Sequence, residues 1–168
     1  MKKKLGMIIF ILLLLWIGVI FYYSSQPPGI SNNQSKMAVN KISIVNEVLG
    51  FTDTKIYTKV ESIVKDKWSF KQEKSPNAVV RKSAHFGIYF LLGIITASFG
   101  YVYSKKIFMA FLLGISLPVT IAVLDEYNQG LVGRTSSLND VIIDGTGAFA
   151  GTLVVVLIIL LFVLLKKR

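Results

Sequence analysis

The sequence predicts an all-α integral membrane protein: four transmembrane helices, with a short helical extracytoplasmic segment between spans one and two. Three observations carry that expectation. The 168-residue chain is 53% hydrophobic, with a mean hydropathy of +0.61, and its apolar residues fall in long runs rather than in the periodic patterns of soluble domains. Eight of the 19 basic residues form three clusters beside those runs: Lys2, Lys3, Lys4; Lys105, Lys106; and Lys166, Lys167, Arg168. That is the arrangement of positive-inside anchoring. Finally, four of the nine acidic residues, Asp125, Glu126, Asp140 and Asp144, are gathered between Leu124 and Gly151. The net charge of +10 therefore reads as membrane anchoring, and nucleic acid is not an expected partner. With no cysteine, disulfides, thiolate chemistry and cysteine metal sites are excluded.

The first span is expected over residues 5–23. This run carries no charge and, as a helix, covers about 28 Å, close to the roughly 30 Å hydrocarbon thickness. Phe21, Tyr22 and Tyr23 would then meet the far interface, where aromatic rings are enriched. A cleaved signal peptide is the competing reading. The run is longer than such peptides use and no Ala-x-Ala-like site follows it, so an uncleaved helix is expected.

Residues 24–75 form the extracytoplasmic polar segment, opened by the breaker Gln26-Pro27-Pro28-Gly29. Two amphipathic helices are expected in it. One is Ser35 to Leu49, with Ile42, Val45 and Leu49 on one side; the other is Asp53 to Trp68, capped by Thr52-Asp53. Such stripes usually mark packing on a membrane domain or in the headgroup layer.

Residues 76–165 read as a three-helix membrane domain. Ser75-Pro76 suits a helix start, serine as N-cap and proline in the first helical position. That helix runs to about Tyr103 and is closed by Lys105-Lys106. Ile107 to Leu124 is the third span, kinked at Pro118; Asp125 to Asn139 reads as a loop, and Gly145 to Leu165 as the fourth span. With the lysine clusters inside, both termini are cytoplasmic and the two polar stretches face outward.

This topology brings polar groups to one side of the membrane. Lys82, His85 and Tyr89 are spaced three and four apart and share a helix face. Asp140 and Asp144 are four apart, on a helix that Ser137 or Asn139 can cap and whose dipole favours carboxylates in its first turn. Gly147 and Gly151 below them form a small-residue pair that lets another helix come close. His85, the sole histidine, is either a satisfied interfacial donor or a general base or nucleophile. In the second case Asp125 or Asp140 orients it. No metal site is expected, because HExxH and EF-hand spacings are absent, although His85, Asp125, Glu126 and Asp140 offer oxygen-rich ligands. Gly130 to Gly133 read as a flexible turn, with no Walker lysine after them. No cofactor is expected.

Arg81-Lys82-Ser83-Ala84-His85-Phe86 with Tyr89 resembles the first signature of the VanZ-like family. Asp125-Glu126-x-x-Gln129, Gly133-Arg134-x-x-Ser137, Asp140 and Gly147-Ala148-x-x-Gly151 are similar to its second. Ile88 stands where members often carry a glutamate, and Val132 where a proline commonly precedes the glycine-arginine pair, so no mechanism here leans on an acid at position 88. The resemblance implies a Gram-positive-type setting: a bacterial plasma membrane, an outer face with envelope lipids and cell-wall precursors, and low-level teicoplanin (glycopeptide) resistance. It implies ligand-binding positions at Lys82, His85, Tyr89, Asp125, Glu126, Gln129, Arg134, Ser137 and Asp140. Lys82 and Arg134 would hold a phosphate or carboxylate of an anionic envelope lipid or lipid-linked precursor, with Tyr89 beside the headgroup. Two other classes stay open: an intramembrane enzyme with His85, Asp125 and Asp140 as candidate catalytic groups, and a structural accessory subunit locked by ion pairs.

Overall fold

The computed structural model describes residues 2–49 and 76–166, and all of its secondary structure there is helical. Five helices follow in order: α1 (Lys2–Ser24), α2 (Pro28–Leu49), α3 (Pro76–Ser104), α4 (Ile107–Leu131) and α5 (Leu138–Lys166). Four of them, α1, α3, α4 and α5, are long and apolar enough to cross a membrane. The expected second amphipathic helix, Asp53 to Trp68, and the capping Ser75 lie outside the described residues. The chain divides into two compact units, one of residues 1–26 and 84–168, the other of residues 27–83.

In the second unit, α2 starts earlier than Ser35. Pro28 is its first residue, so the proline pair read as a breaker instead opens a helix. A proline there loses nothing, because the first-turn N–H groups have no intrahelical partner and its fixed φ already suits the helix.

The first unit combines α1 with α4, α5 and α3 from Ala84 onward. Only Lys105 and Lys106 separate α3 from α4, which makes them antiparallel neighbours; Lys105 turns the chain with a positive φ of 61°. At this end a Cβ built on Gly6 would come within 3.8 Å of Val102 Cγ1, and the rings of Phe10 and Phe99 are 5.7 Å apart between centroids. Lys4, Lys105, Lys106 and Lys166 therefore gather at one end of the bundle. The opposite end joins the close of α1 and α4 to the starts of the first unit's part of α3 and of α5.

The core is thin and specific. Leu13, Ile20, Tyr89, Leu92, Ile121 and Ala122 pack together, with Trp16 and Ile88 against them, and Trp16 Nε1 donates to the Ile88 carbonyl at 3.1 Å. Between α3 and α5 the backbones touch. A Cβ built on Gly147 runs into the Phe86 carbonyl oxygen, and one on Gly151 into that of Phe90, which is the close approach expected of that glycine pair. Outward surfaces carry exposed side chains such as Ile8, Leu15, Phe108, Phe162 and Leu165. Acyl chains cover such a surface where water would not.

α4 departs from expectation. The apolar run ends at Leu124, but the helix continues through Asp125, Glu126 and Gln129 to Leu131, so the loop between α4 and α5 begins at Val132 rather than Asp125. The helix then closes in a Schellman motif: Arg134 N–H donates to Gln129 O at 3.0 Å and Gly133 N–H to Gly130 O at 3.2 Å, with Gly133 at φ 77°. Pro118 lies inside α4 and is buried.

Candidate functional site

The continuation of α4 carries three polar side chains into the bundle: Asp125 and Glu126 find partners on another helix or loop, and Gln129 bonds back to Asp125. Asp125 is sealed. Its Oδ2 accepts from Tyr89 Oη on α3 at 3.0 Å, and its Oδ1 accepts from Gln129 Nε2, one turn on, at 3.0 Å. Its backbone carbonyl accepts from Ser24 Oγ at the end of α1, at 3.1 Å. Asn128 Nδ2 completes that junction, 3.0 Å from both Ser24 Oγ and Ser25 Oγ. Burying a carboxylate is tolerable only when its oxygens are bonded in this way.

Glu126 points to the start of α5. Its Oε2 accepts the Ser137 backbone N–H at 2.8 Å, while Ser137 Oγ accepts from the Asn139 N–H at 3.1 Å. Ser137 rather than Asn139 is thus the N-cap of α5, and it fixes Glu126 at the same time. Asp140 stands in the first turn of α5, where the helix dipole favours a carboxylate.

One turn deeper, Asp144 is fully buried. His85 Nδ1 lies 3.3 Å from its Oδ1 and 3.4 Å from its Oδ2. The orienting carboxylate expected for His85 was Asp125 or Asp140; the residue that meets it is Asp144. Its spacing from Asp140 had put it on the same face, and its position about 6 Å further along the axis decides which of the two reaches His85. The histidine keeps 20% of its side chain exposed, so the cluster has an opening. One atom each from His85, Glu126 and Asp144 lies within 4.8 Å of the others.

The expected residues thus divide. His85, Tyr89, Asp125, Glu126, Gln129 and Ser137 all lie in the first unit, in three bonded sets: His85 with Asp144, Tyr89 and Gln129 with Asp125, and Ser137 with Glu126; Lys82 belongs to the second unit. Tyr89 is buried against Asp125 rather than placed beside a headgroup. Arg134 directs Nη1 to the carbonyls of Tyr23 and Ser24, at 3.4 and 3.5 Å, where a cation complements the C-terminal end of α1. Sequence reasoning did not single out Ser24, Asn128 or Trp16, because a lone serine, asparagine or tryptophan at a span carries no spacing signal.

A family model described as VanZ/LLP1 matches residues 9–162, wider than the stretch after Pro76 that carries the motifs and taking in the first span. Nothing among curated proteins or solved structures matches the chain.

Proposed function

The chain belongs to the VanZ/LLP1 family, and from that premise we propose that it acts at the outer face of a bacterial plasma membrane on an envelope lipid or lipid-linked cell-wall precursor. Both termini are then cytoplasmic, and low-level teicoplanin protection is the cellular readout. One observation carries this reading: a polar cluster of His85, Asp125, Glu126 and Asp144 is built into the bundle end opposite the lysines. Basic clusters favour the cytoplasmic side, which supports an outward-facing site. Ionisable groups set inside membrane-spanning helices are costly enough that function is their ordinary reason for being there.

In this reading the exposed edge of His85 meets the bound headgroup, and Arg134 binds the end of α1 to the loop that frames the site. A second reading, an enzyme, is favoured by the contact between His85 and Asp144. A buried carboxylate beside Nδ1 orients the ring and leaves Nε2 to take a proton from a hydroxyl or water of the ligand.

The test is paired. Wild type, His85→Ala, Asp144→Asn and Arg134→Ala are expressed in a susceptible Gram-positive host, and membrane abundance is measured alongside teicoplanin susceptibility. Protection lost at normal abundance for His85→Ala supports a working site. Protection that persists in His85→Ala and Asp144→Asn at normal abundance overturns it. A fall of both together assigns the cluster to scaffolding.

A further inference from the structure

Glu126 and Asp144 differ from Asp125 in one respect. Asp125 has a donor on each oxygen, from Tyr89 and Gln129. Glu126 uses Oε2 on the Ser137 N–H, and its Oε1 is buried with no hydrogen-bond partner among the described residues; Asp144 Oδ1 is buried with only the 3.3 Å contact to His85 Nδ1. The side chains concerned are almost wholly enclosed: Glu126 is 3% exposed and Asp144 0%. Both stand with His85 in a set whose ligand atoms lie within 4.8 Å of one another. A proton shared between His85 and Asp144 accounts for that pair, but it gives nothing to Glu126 Oε1.

We propose that His85, Glu126 and Asp144 form a binding site for one borderline divalent cation, Zn²⁺ or Mn²⁺. Donor atoms about 2.1 Å from a shared ion at the tetrahedral angle stand about 3.4 Å apart, and His85 Nδ1 already lies 3.3 and 3.4 Å from the two Asp144 oxygens. Glu126, the longest of the three arms, closes the set. An imidazole nitrogen with two carboxylates suits Zn²⁺ or Mn²⁺ better than Ca²⁺ or Mg²⁺, which take all-oxygen shells. Three protein ligands leave a coordination position free, as in sites that engage a ligand rather than staple a fold. The exposed edge of His85 gives the route in. Outer-sphere support is already present: the Ser137 N–H holds Glu126, and α5 carries Asp144 beside the glycine pair that presses it onto α3. The chain supplies no local spacing motif because its ligands come from three separate helices. The inference stands whichever envelope molecule the site receives.

The chain offers an unusually direct test, since His85 is its only histidine. The full chain is purified in detergent with a tag free of histidine, stripped with chelator and dialysed against MnCl₂ or ZnCl₂. Bound metal is then counted by mass spectrometry, and the Mn²⁺ form is examined by pulsed electron paramagnetic resonance. The expected result is one ion per chain with a nitrogen coupling of imidazole type, which only His85 can supply. Glu126→Gln and Asp144→Asn should each weaken binding by about 10–100-fold or more. Substoichiometric metal on wild type, or a bound ion without imidazole coupling, overturns the proposal. Both decisive readings come from the wild-type chain, so a variant that fails to fold does not blur them.

Discussion

Tyr89 Oη donates a 3.0 Å hydrogen bond to Asp125 Oδ2, and the two side chains are 1% and 2% exposed. A carboxylate inside the bundle therefore rests one of its oxygens on a phenol from a neighbouring helix. Tyr89→Phe leaves that oxygen without its donor at almost unchanged shape. The expected loss is about 1–3 kcal/mol of stability, read by thermal unfolding in detergent. Adding Asp125→Asn should cost less than the sum of the two single changes, because the desolvated charge has gone. Strict additivity would show that the pair is not coupled.

Close approach of α3 and α5 gives a second expectation. Gly151→Val places methyl groups where the Phe90 carbonyl stands, and neither backbone can yield without parting the helices. Overpacking of this kind costs about 1–3 kcal/mol or more, so membrane abundance should drop sharply. Gly145→Ala is the control, since its nearest neighbour is a side-chain atom of Val119 at 3.5 Å. It should be tolerated.

Gly133 isolates a purely backbone effect. Its φ is 77° and a Cβ there meets nothing within 4 Å, so Gly133→Ala should cost about 1–2 kcal/mol through the left-handed conformation alone. Gly133→Asn should recover part of that, as asparagine tolerates this region. Equal losses for both would place the cost elsewhere.

Orientation can be mapped cleanly because the natural chain has no cysteine. Thr135→Cys lies exposed in the turn before α5 and Lys105→Cys is exposed at the other end. In intact cells a membrane-impermeant maleimide should label the first and leave the second untouched until permeabilisation. The reverse pattern would put the cluster in the cytoplasm and sink the outer-face reading.

Much of this architecture was legible in the residues. Charge-free apolar runs mark the four long helices, the Gly147 and Gly151 pair marks the tightest contact, and Ser137 at the start of α5 marks its cap. Hydropathy failed where tertiary partners override it. Asp125 and Glu126 look like the end of a span because carboxylates lower the local average, yet Tyr89, Gln129 and Ser137 meet them and the helix runs on. The pairing of His85 with Asp144 rather than Asp140 was not readable either. Two carboxylates one turn apart share a face, and about 6 Å of axial offset decides which one the histidine reaches. Arg134 also has the carbonyls that end α1 beside it, and no pattern in the sequence announces that neighbour.

The ties of α1 have a consequence for how the protein is made. Trp16 waits for the carbonyl of Ile88, and Ser24 for that of Asp125, 72 and 101 residues further along the chain. A ribosome delivers the first helix to the bilayer well before either partner has been synthesised. That helix must therefore survive in lipid by itself, which its uncharged run from Leu5 to Tyr23 allows. Its two clasps can engage only when α3 and then α4 arrive. Assembly at this end is thus ordered by translation: the indole is fastened first and the serine second, and the junction with Asn128 closes last.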